Sequence, residues 1–572
     1  MPYNVITHSN GDEKMMRRKI PVTATILATL LMTLLTTACQ KSSGGGPCDG
    51  ITCGGHGQCE AVANAAQCAC DSGYEPDGLL CVDPNNTAPT TDQIVQYGIA
   101  WTFDEQVPYG RFANGDYWVL GPVTIVRMLP DAAGGHHGWE VNPDDNSAQA
   151  FDERIGDYVA ARMPELPYTA QPGQSIVKSI SLEPLGDTEC RPCLQTAAVL
   201  TVLGTPPPDQ GTTVFRPPYF GPDKPLYSVN DLDTTLLPTL DATGDPPALA
   251  DLSEWFRRVQ LDHKVNWTGR PLHPVDNLPD YGSSIAVRNA DGALGLMLAD
   301  DPADKWEPLV HYVQYGIDLY HMLLGGVSWP PNGGHSEGRR LPLTFAATVL
   351  GHGDMQAAVS AGATNLFGES GGVYWSEDAS QVLFGQTWNS EDDYWTNLVF
   401  DTGSRTTPDP YGYIDGGYRP GGSYQFCCTA KPWKSTVTAL HLMPSLQPVW
   451  NHTPSLDYVE RWVTFGAWTQ PDPCAPAWGD CVGGDNAGAA CTSANEPDVC
   501  TGEEGFCDTK VSWDSDYGVT YGPDGSGGCI LDTDPTDGIG RFPLLHGTST
   551  DDGHYGSAFA DALWSVYVAP TL

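Results

Sequence analysis

The sequence predicts a multidomain α+β protein, in which a small cysteine-rich module is followed by an antiparallel β-sandwich and then by a helical domain. Six cysteines fall within residues 48–81. Short β-branched and aromatic runs follow between residues 94 and 246, and from about residue 247 the apolar residues recur at three- and four-residue steps, as in buried helices. At 572 residues the chain is long enough for several such domains.

The charge of the chain restricts its partners. It has 70 acidic and 28 basic side chains, for a net charge of −42. A phosphate backbone would repel such a surface, so we expect no nucleic-acid partner. Aromatic residues make up 10% of the chain, which is too many for a disordered acidic polymer and predicts a packed core.

The N-terminal residues predict export. A basic segment, Met15–Lys19, precedes an apolar run of signal-peptide length, Pro21–Leu35, within a signal peptide of residues 1–38. The sequence Thr36-Thr-Ala-Cys39 resembles a bacterial lipobox, although an aliphatic residue is usual where Thr36 stands. The resemblance implies lipid attachment to Cys39, and Gln40 after it implies an outer-membrane lipoprotein that faces outward. The alternative is an ordinary secretory signal.

After a lipidated linker, residues 39–47, six cysteines have the pattern C-x4-C-x5-C-x8-C-x-C-x10-C and include a Gly73-Tyr74 step. Residues 48–81 therefore resemble an EGF-like module. The resemblance implies a small hairpin and the pairs Cys48–Cys59, Cys53–Cys68 and Cys70–Cys81. The acidic run of the calcium-binding subclass is missing before Cys48, so we expect no calcium in this module. Disulfides would supply the stability that so small a core cannot.

A linker, residues 82–93, leads to the predicted β-sandwich, residues 94–246. Its strands are predicted where β-branched and aromatic residues alternate with turn residues: 97–103, 115–120, 123–128, 175–182 and 196–203. Cys190-Arg-Pro-Cys193 lies between the last two. In an exported chain this pair favours a disulfide, with a zinc or redox site as the alternative.

The remaining residues, 247–572, have the apolar spacing of helices at 252–261, 306–324, 341–350, 458–465 and 557–567. Helices joined by Gly- and aromatic-rich loops suggest an incomplete α/α toroid with a cleft at its loop ends. Residues 471–530 are rich in cysteine, glycine and aspartate, which predicts a disulfide-bonded insertion.

One segment concentrates the side chains that could carry chemistry. It lies directly before a predicted buried helix and reads Trp329-Pro-Pro-Asn332-Gly-Gly-His335-Ser-Glu337-Gly-Arg339-Arg340. Two further segments, around Tyr281 and Tyr315, offer phenol groups. The alternative is structural, with Arg339 paired to Asp318 and Tyr315 filling the core.

A Gly-rich segment with Asn, His and Arg beside a predicted toroid and a β-sandwich resembles polysaccharide lyases of the alginate and heparin type. The resemblance implies β-elimination of a uronate-containing extracellular glycan. Asn332 and Arg339 would neutralise the uronate carboxylate, His335 would be the base, and Tyr281 or Tyr315 the acid. Glu337, Arg340 and Trp329 would be further substrate contacts. The family's adjacent Asn-His pair is here separated by Gly333-Gly334, and the order of the domains is reversed.

Two other functions remain open from the sequence. Glu391-Asp392-Asp393-Tyr394-Trp395 places carboxylates beside aromatic rings, as a glycoside hydrolase needs. A non-catalytic surface adhesin or glycan-binding lipoprotein would also use the lipid, the small module and tryptophan-rich loops. We expect no metal or cofactor, except that Asp532-Thr-Asp534-Pro-Thr-Asp537-Gly538 resembles an acidic calcium loop with its third Asp and its Gly one place late.

Overall fold

The computed structural model describes Cys48 and residues 57–62, 65–77, 80–82, 88–186, 190–361, 366–376, 380–385, 428–465, 478–492, 496–502, 505–508, 520–523, 529–532 and 555–572. All of them belong to one compact unit, Pro47–Leu572. These residues form a mixed α+β structure with a curled β-sheet, several helices and disulfides. The predicted α+β class is confirmed.

Two small hairpins come first. Strand β1 (Gly57–Val62) pairs antiparallel with β2 (Ala65–Cys70), and β3 (Glu75–Asp77) pairs with β4 (Leu80–Val82). A disulfide joins Cys48 to Cys59, and Cys68 and Cys70 are also disulfide-bonded. Cys53 lies outside the described residues. The EGF-like assignment stays a prediction.

Within residues 88–186 and 190–203, eight strands form one curled sheet with the order β10-β8-β6-β7-β12-β11-β9, and β5 pairs with β6. The long strand β6 bends, so that its first half pairs with β8 and its second half with β7. The strand bounds are Thr90–Gln96 (β5), Ile99–Arg111 (β6), Tyr117–Leu120 (β7), Val123–Leu129 (β8), Trp139–Val141 (β9), Tyr168–Ala170 (β10), Gln174–Ser181 (β11) and Leu194–Leu203 (β12).

The pairing differs from the expected sheet in one place. All of these strands pair antiparallel except β7 and β12, which run parallel from Tyr117↔Leu200 to Leu120↔Leu203. Two neighbouring parallel strands need a long connection between them, and residues 121–193 provide it. The segments predicted as strands all overlap observed strands.

Strand β12 is buried on both faces, which explains its nearly continuous apolar sequence. Ala198, Leu200 and Val202 pack into the core inside the curled sheet, together with Trp101 and Ile125. Leu194, Ala197 and Val199 face the other way and share a core with the helices. The sheet and the helical region therefore pack through a common apolar layer.

The helices follow an irregular segment, residues 204–248, that contains short 3₁₀ turns. The longest, α3, begins where the Asp301 carboxylate accepts a hydrogen bond from the Ala303 N–H at 2.8 Å, and it ends at Gly325. The helix bounds are Leu249–Phe256 (α1), Gly282–Leu296 (α2), Pro302–Leu324 (α3), Arg340–Val349 (α4), Gly353–Ala361 (α5), Gly368–Gly371 (α6), Ala430–Leu442 (α7), Gln447–Trp450 (α8), Thr453–Phe465 (α9), Glu496–Val499 (α10) and Ala558–Leu563 (α11).

Short strands complete the described chain. Their bounds are Val373–Ser376 (β13), Gln381–Phe384 (β14), Trp478–Val482 (β15), Ala490–Thr492 (β16), Phe506–Asp508 (β17), Thr520–Pro523 (β18) and Cys529–Asp532 (β19). A disulfide joins Cys481 to Cys500 within this part. Among the described helices, none combines the length and the apolar character that crossing a membrane requires.

Candidate functional site

The Gly-rich segment before α4 lies against the start of α2. Gly334 and Gly338 have φ angles of 89° and 94°, a left-handed conformation that favours glycine. A Cβ atom at Gly338 would lie 2.4 Å from the Ala286 Cα atom, so only glycine permits this close approach. We divide residues 332–340 into an outer half, Asn332–His335, and an inner half, Ser336–Arg340, because every residue of the inner half is buried.

Arg339 points into the protein and is almost fully buried. Its Nε and Nη2 atoms each donate to a carboxylate oxygen of Asp262 at 2.8 Å, and Nη1 donates to the backbone carbonyls of His335 and Glu337. The Asp318 carboxylate instead binds Arg216. The expected pairing of Arg339 with Asp318 is therefore wrong: the partner is Asp262.

Asp262 is the centre of a buried polar cluster. Besides Arg339 it binds the Tyr315 hydroxyl, which donates at 2.9 Å, and the His273 Nε2 atom lies 3.4 Å away. Burial raises the pKa of Asp262, but the Arg339 guanidinium outweighs it and holds this pKa well below its ordinary value. Burial raises the pKa of Tyr315 well above its ordinary value, so this phenol stays protonated.

The other inner residues are also buried. The Trp433 indole N–H donates to Glu337 at 2.5 Å, and the Gly338 N–H donates to Glu369 at 2.6 Å. Burial and the proximity of Glu369 raise the pKa of Glu337 well above its ordinary value. The surroundings of Glu337 therefore favour its protonated form.

Arg340 and Trp329 lie deep in the same interior. The Arg340 guanidinium lies 4.1 Å from the ring centre of Trp450, donates to the Trp450 carbonyl, and has its pKa lowered by burial to about 9. Trp329 is 1% exposed and stacks on Phe367 at 6.0 Å. The structure thus places Glu337, Arg339, Arg340, Trp329 and Tyr315 inside the helical region.

The outer half presents His335, which is half-buried. Its ring meets the Tyr281 ring edge to face at 4.8 Å and the Trp267 ring at 5.3 Å. The Nδ1 atom has no hydrogen-bond partner among the described residues. Burial, Arg270 and Arg339 lower the pKa of His335 to about 4, so the imidazole is neutral at pH 7.

Two arginines flank the exposed Trp267. The Arg191 guanidinium lies 4.3 Å from the Trp267 ring centre, and that of Arg270 lies 5.1 Å away. Arg270 also pairs with Asp280. Trp267 is 52% exposed. We call His335, Tyr281, Trp267, Arg191 and Arg270 the His335 surface.

Tyr281 contacts both His335 and the turn that carries it. Its hydroxyl donates to the Gly333 carbonyl, and its ring lies 5.1 Å from that of Tyr555. Asn332 is partly exposed and accepts a hydrogen bond from the His335 N–H through its backbone carbonyl at 2.9 Å. Of the predicted catalytic residues, the structure brings His335 and Tyr281 together, whereas Tyr315 and Arg339 meet at Asp262.

Trp267, Arg191 and Arg270 were not predicted from the sequence. A signal for Arg191 was present, because Cys190-Arg-Pro-Cys193 closes a four-residue disulfide loop that exposes its central arginine. The bonded sulfurs are not free to bind zinc. No local pattern marks Trp267, which follows Asn266 in a left-handed conformation with φ of 61°.

The remaining predicted sites either lie outside the described residues or have no free ligand atoms. Cys39, the acidic segment Glu391–Trp395 and most of the Asp532–Gly538 motif lie outside the described residues. The sulfur atoms of Cys481, Cys491 and Cys500 lie within 4.8 Å of one another. All three are disulfide-bonded, so their thiolates are not available as metal ligands.

Comparisons of the chain with protein-family models, curated proteins and solved structures found no match. A functional conclusion must therefore rest on the residues of this chain. Within the described residues, the His335 surface is where the half-buried His335 lies near the exposed Trp267 and near Arg191, which makes no ion pair there.

Proposed function

We propose that the protein binds an extracellular polysaccharide that carries carboxylate groups, at the His335 surface. The observation that supports this proposal is the exposed Trp267 ring between the Arg191 and Arg270 guanidinium groups. Sugar rings pack on aromatic side chains, and guanidinium groups bind carboxylates with paired hydrogen bonds. An exposed indole ring with two guanidinium groups near it suits a chain of uronate rings.

The net charge of the protein also favours an acidic ligand at this surface. In a chain with a net charge of −42, most surfaces repel an anion. Arg191 makes no ion pair among the described residues, and Arg270 shares its charge with Asp280 alone. The His335 surface therefore keeps net positive charge close to an apolar ring, which selects for acidic over neutral glycans.

Binding can be tested with a matched pair of tryptophans. Trp267→Ala removes the exposed ring of the His335 surface, whereas Trp306→Ala removes a 41% exposed ring on α3. We expect Trp267→Ala to weaken binding to alginate, pectate or hyaluronan at least about tenfold by calorimetry. The Trp306→Ala protein should bind as wild type does. Equal effects of the two changes, or no binding to any of the three polymers, would contradict the proposal.

A second candidate function, β-elimination, is favoured by the state of His335. The imidazole is neutral, and its Nδ1 atom, although buried, has no hydrogen-bond partner among the described residues, while Arg270 and Arg191 lie nearby to neutralise a uronate. General base catalysis by such a group contributes roughly 10²–10⁴-fold. The predicted neutraliser Arg339 is buried as well as bound to Asp262, so Arg191 and Arg270, which lie nearer the surface, take over that role in this proposal.

The lyase candidate makes a distinctive pH prediction. Because the pKa of His335 lies near 4, the base form persists below the ordinary histidine range, and the rate should stay level from pH 8 down to about pH 5. Formation of unsaturated products, followed by ultraviolet absorbance, should disappear in His335→Ala. If the protein binds these glycans without releasing unsaturated products, the β-elimination candidate is contradicted and the non-catalytic binding function is supported.

The remaining parts of the proposal concern location and architecture. We propose that a lipid at Cys39 anchors the chain to the outer membrane facing outward, and that residues 48–81 are an EGF-like spacer. We further propose that the curled sheet is a β-sandwich and that the helices form a toroid-like domain. Cys39→Ser should move the protein from the membrane fraction to the soluble fraction; unchanged partitioning would contradict the lipid anchor.

A further inference from the structure

We propose a second ligand site, which takes a short acidic saccharide such as a single uronic acid or a disaccharide that contains one. It lies in a cleft between the sheet and the helices, the Tyr97 cleft, lined by Gln96, Tyr97, Arg111, Asn114, Arg257 and Glu307 among others. It is separate from the His335 surface, and the inference does not rest on the function proposed there.

The cleft has a volume of about 400 Å³. This lies within the range of small-molecule sites, roughly 300–1,000 Å³. The β5–β6 turn and the turn that precedes β7 form one wall, while the end of α1 and one face of α3 form the other. His311 joins the two helices of the second wall, since its Nδ1 atom on α3 shares a hydrogen bond with the hydroxyl of Ser253 on α1 at 2.9 Å.

Two side-chain amides in the cleft have fixed orientations. The Asp116 carboxylate accepts a hydrogen bond from the Gln96 amide at 2.8 Å and from the Asn114 amide at 2.9 Å. It also accepts from Arg216 at 2.7 Å, so Asp116 is itself charge-paired. Because a carboxylate takes only donors, the nitrogen side of each amide must face Asp116 and the oxygen side must face away.

The amide oxygens are left without partners. Gln96 is 7% exposed and Asn114 is 3% exposed, yet their oxygens accept no hydrogen bond among the described residues. Buried acceptors of this kind are rare because their desolvation is costly, so they call for a donor. Gln96 and Asn114 both line the cleft, and a sugar hydroxyl group could supply the donor that their buried oxygens lack.

The rim of the cleft carries the charge. Arg111 lies 4.3 Å from the Tyr117 ring centre and Arg257 lies 5.4 Å from that of Tyr97, while Glu307 is the carboxylate on the lining. Arg257 is paired with the Glu254 carboxylate at 2.7 Å, which leaves Arg111 as the arginine on the lining that has no carboxylate partner among the described residues. This favours a ligand with hydroxyl groups at one end and a carboxylate at the other.

Tyr97 occupies an unfavourable backbone conformation at this site. With Gly98 it forms the two-residue turn between β5 and β6, and its φ angle is 52°. Turns of this kind favour Asn, Asp or Gly at that position, because a larger side chain is strained there. Strained residues cluster at functional sites. The position of Tyr97 beside the unpartnered amides therefore indicates a role for its ring in the cleft.

The first test titrates the full chain by calorimetry with D-glucuronate, D-galacturonate and D-mannuronate, and with D-glucose and L-glutamate for comparison. At least one uronate should bind more tightly than both glucose and glutamate. Arg111→Gln should weaken that binding about tenfold or more. Arg127→Gln, which removes an exposed arginine from β8, should leave it unchanged.

Each contrary result would overturn the site. These results are the absence of uronate binding, a preference for glutamate, and an equal effect of Arg111→Gln and Arg127→Gln. Loss of uronate binding in Trp267→Ala would place the ligand at the His335 surface instead. Tyr97→Asn is an independent variant, because asparagine suits the turn: it should keep the melting temperature within a few degrees of wild type and weaken uronate binding. Unchanged binding in that variant would also contradict the site.

Discussion

The inner and outer halves of the Gly-rich segment before α4 are neighbours in sequence but differ in chemistry. In the inner half, Arg339 and Glu337 are buried and bound to protein partners. In the outer half, His335 is half-buried and its Nδ1 atom has no hydrogen-bond partner among the described residues. The comparison teaches that a dense run of polar residues can mark a buried ionic centre as readily as a surface site.

The physical reason is the cost of burying charge. An ionised side chain inside a protein must be paired and hydrogen-bonded. Arg339 meets this requirement with Asp262 and two backbone carbonyls, and Glu337 meets it with an indole donor and a raised pKa. The inner half therefore stabilises the fold, whereas the outer half belongs to the surface where we propose that a ligand binds.

The largest expected effect comes from breaking the inner half. Arg339→Met leaves the Asp262 carboxylate buried and without its main partner, so we expect the free energy of unfolding to fall by about 3–5 kcal/mol. Chemical denaturation would measure it. Arg127→Met, which removes an exposed arginine paired with Asp131, serves as the control and should cause no measurable change. A loss below about 1 kcal/mol for Arg339→Met would show that Asp262 finds other partners.

A smaller, pH-dependent effect is expected at Glu337. Its pKa is raised in the folded state, so the stability from its protonated form is complete below the ordinary value of 4.5 and is lost as the pH rises. Glu337→Gln keeps an acceptor for the Trp433 indole but cannot ionise. We expect it to raise the free energy of unfolding at pH 8 by more than about 1 kcal/mol and to change little at pH 4.

Denaturation curves at both pH values would check this prediction. Glu105→Gln, on the exposed part of β6, should leave the pH dependence of unfolding as in wild type. If Glu337→Gln destabilises the protein equally at pH 4 and pH 8, the pKa of Glu337 is not raised in the folded state.

The smallest effect is expected in the outer half. His335→Ala removes two ring contacts but also removes a buried nitrogen without a partner. The change in the free energy of unfolding should therefore be about 1 kcal/mol or less. The same denaturation measurement would check it, and a loss as large as that of Arg339→Met would remove the contrast between the two halves.

Secondary structure was largely predictable from local pattern. The strand runs and the helix at 306–324 were visible because apolar periodicity is a property of neighbouring residues. Helix α2 was missed, since its glycines lower helix propensity. Its packing explains them: Cβ atoms at Gly292 and Gly295 would collide with Phe256 and Leu252.

The site was only partly predictable. His335 and Tyr281 were named from sequence and do lie in contact, because the Gly-rich segment folds directly onto the start of α2. Trp267 and Arg191 are far from that segment in sequence, and nothing in the local pattern connects them. The residues that line the Tyr97 cleft come from both the sheet and the helices, so no single segment of the sequence predicts it.

The sequence by itself determined the α+β class, the extent of most strands and helices, and the presence of disulfides, since periodicity and cysteine spacing are local properties. Only the tertiary structure decided which charges are buried. Arg339 could have met Asp318, but the fold brings Asp262 to it and gives Asp318 to Arg216. Pairing of this kind depends on contacts between residues tens of positions apart, and these are fixed only when the sheet and the helices pack around their shared core.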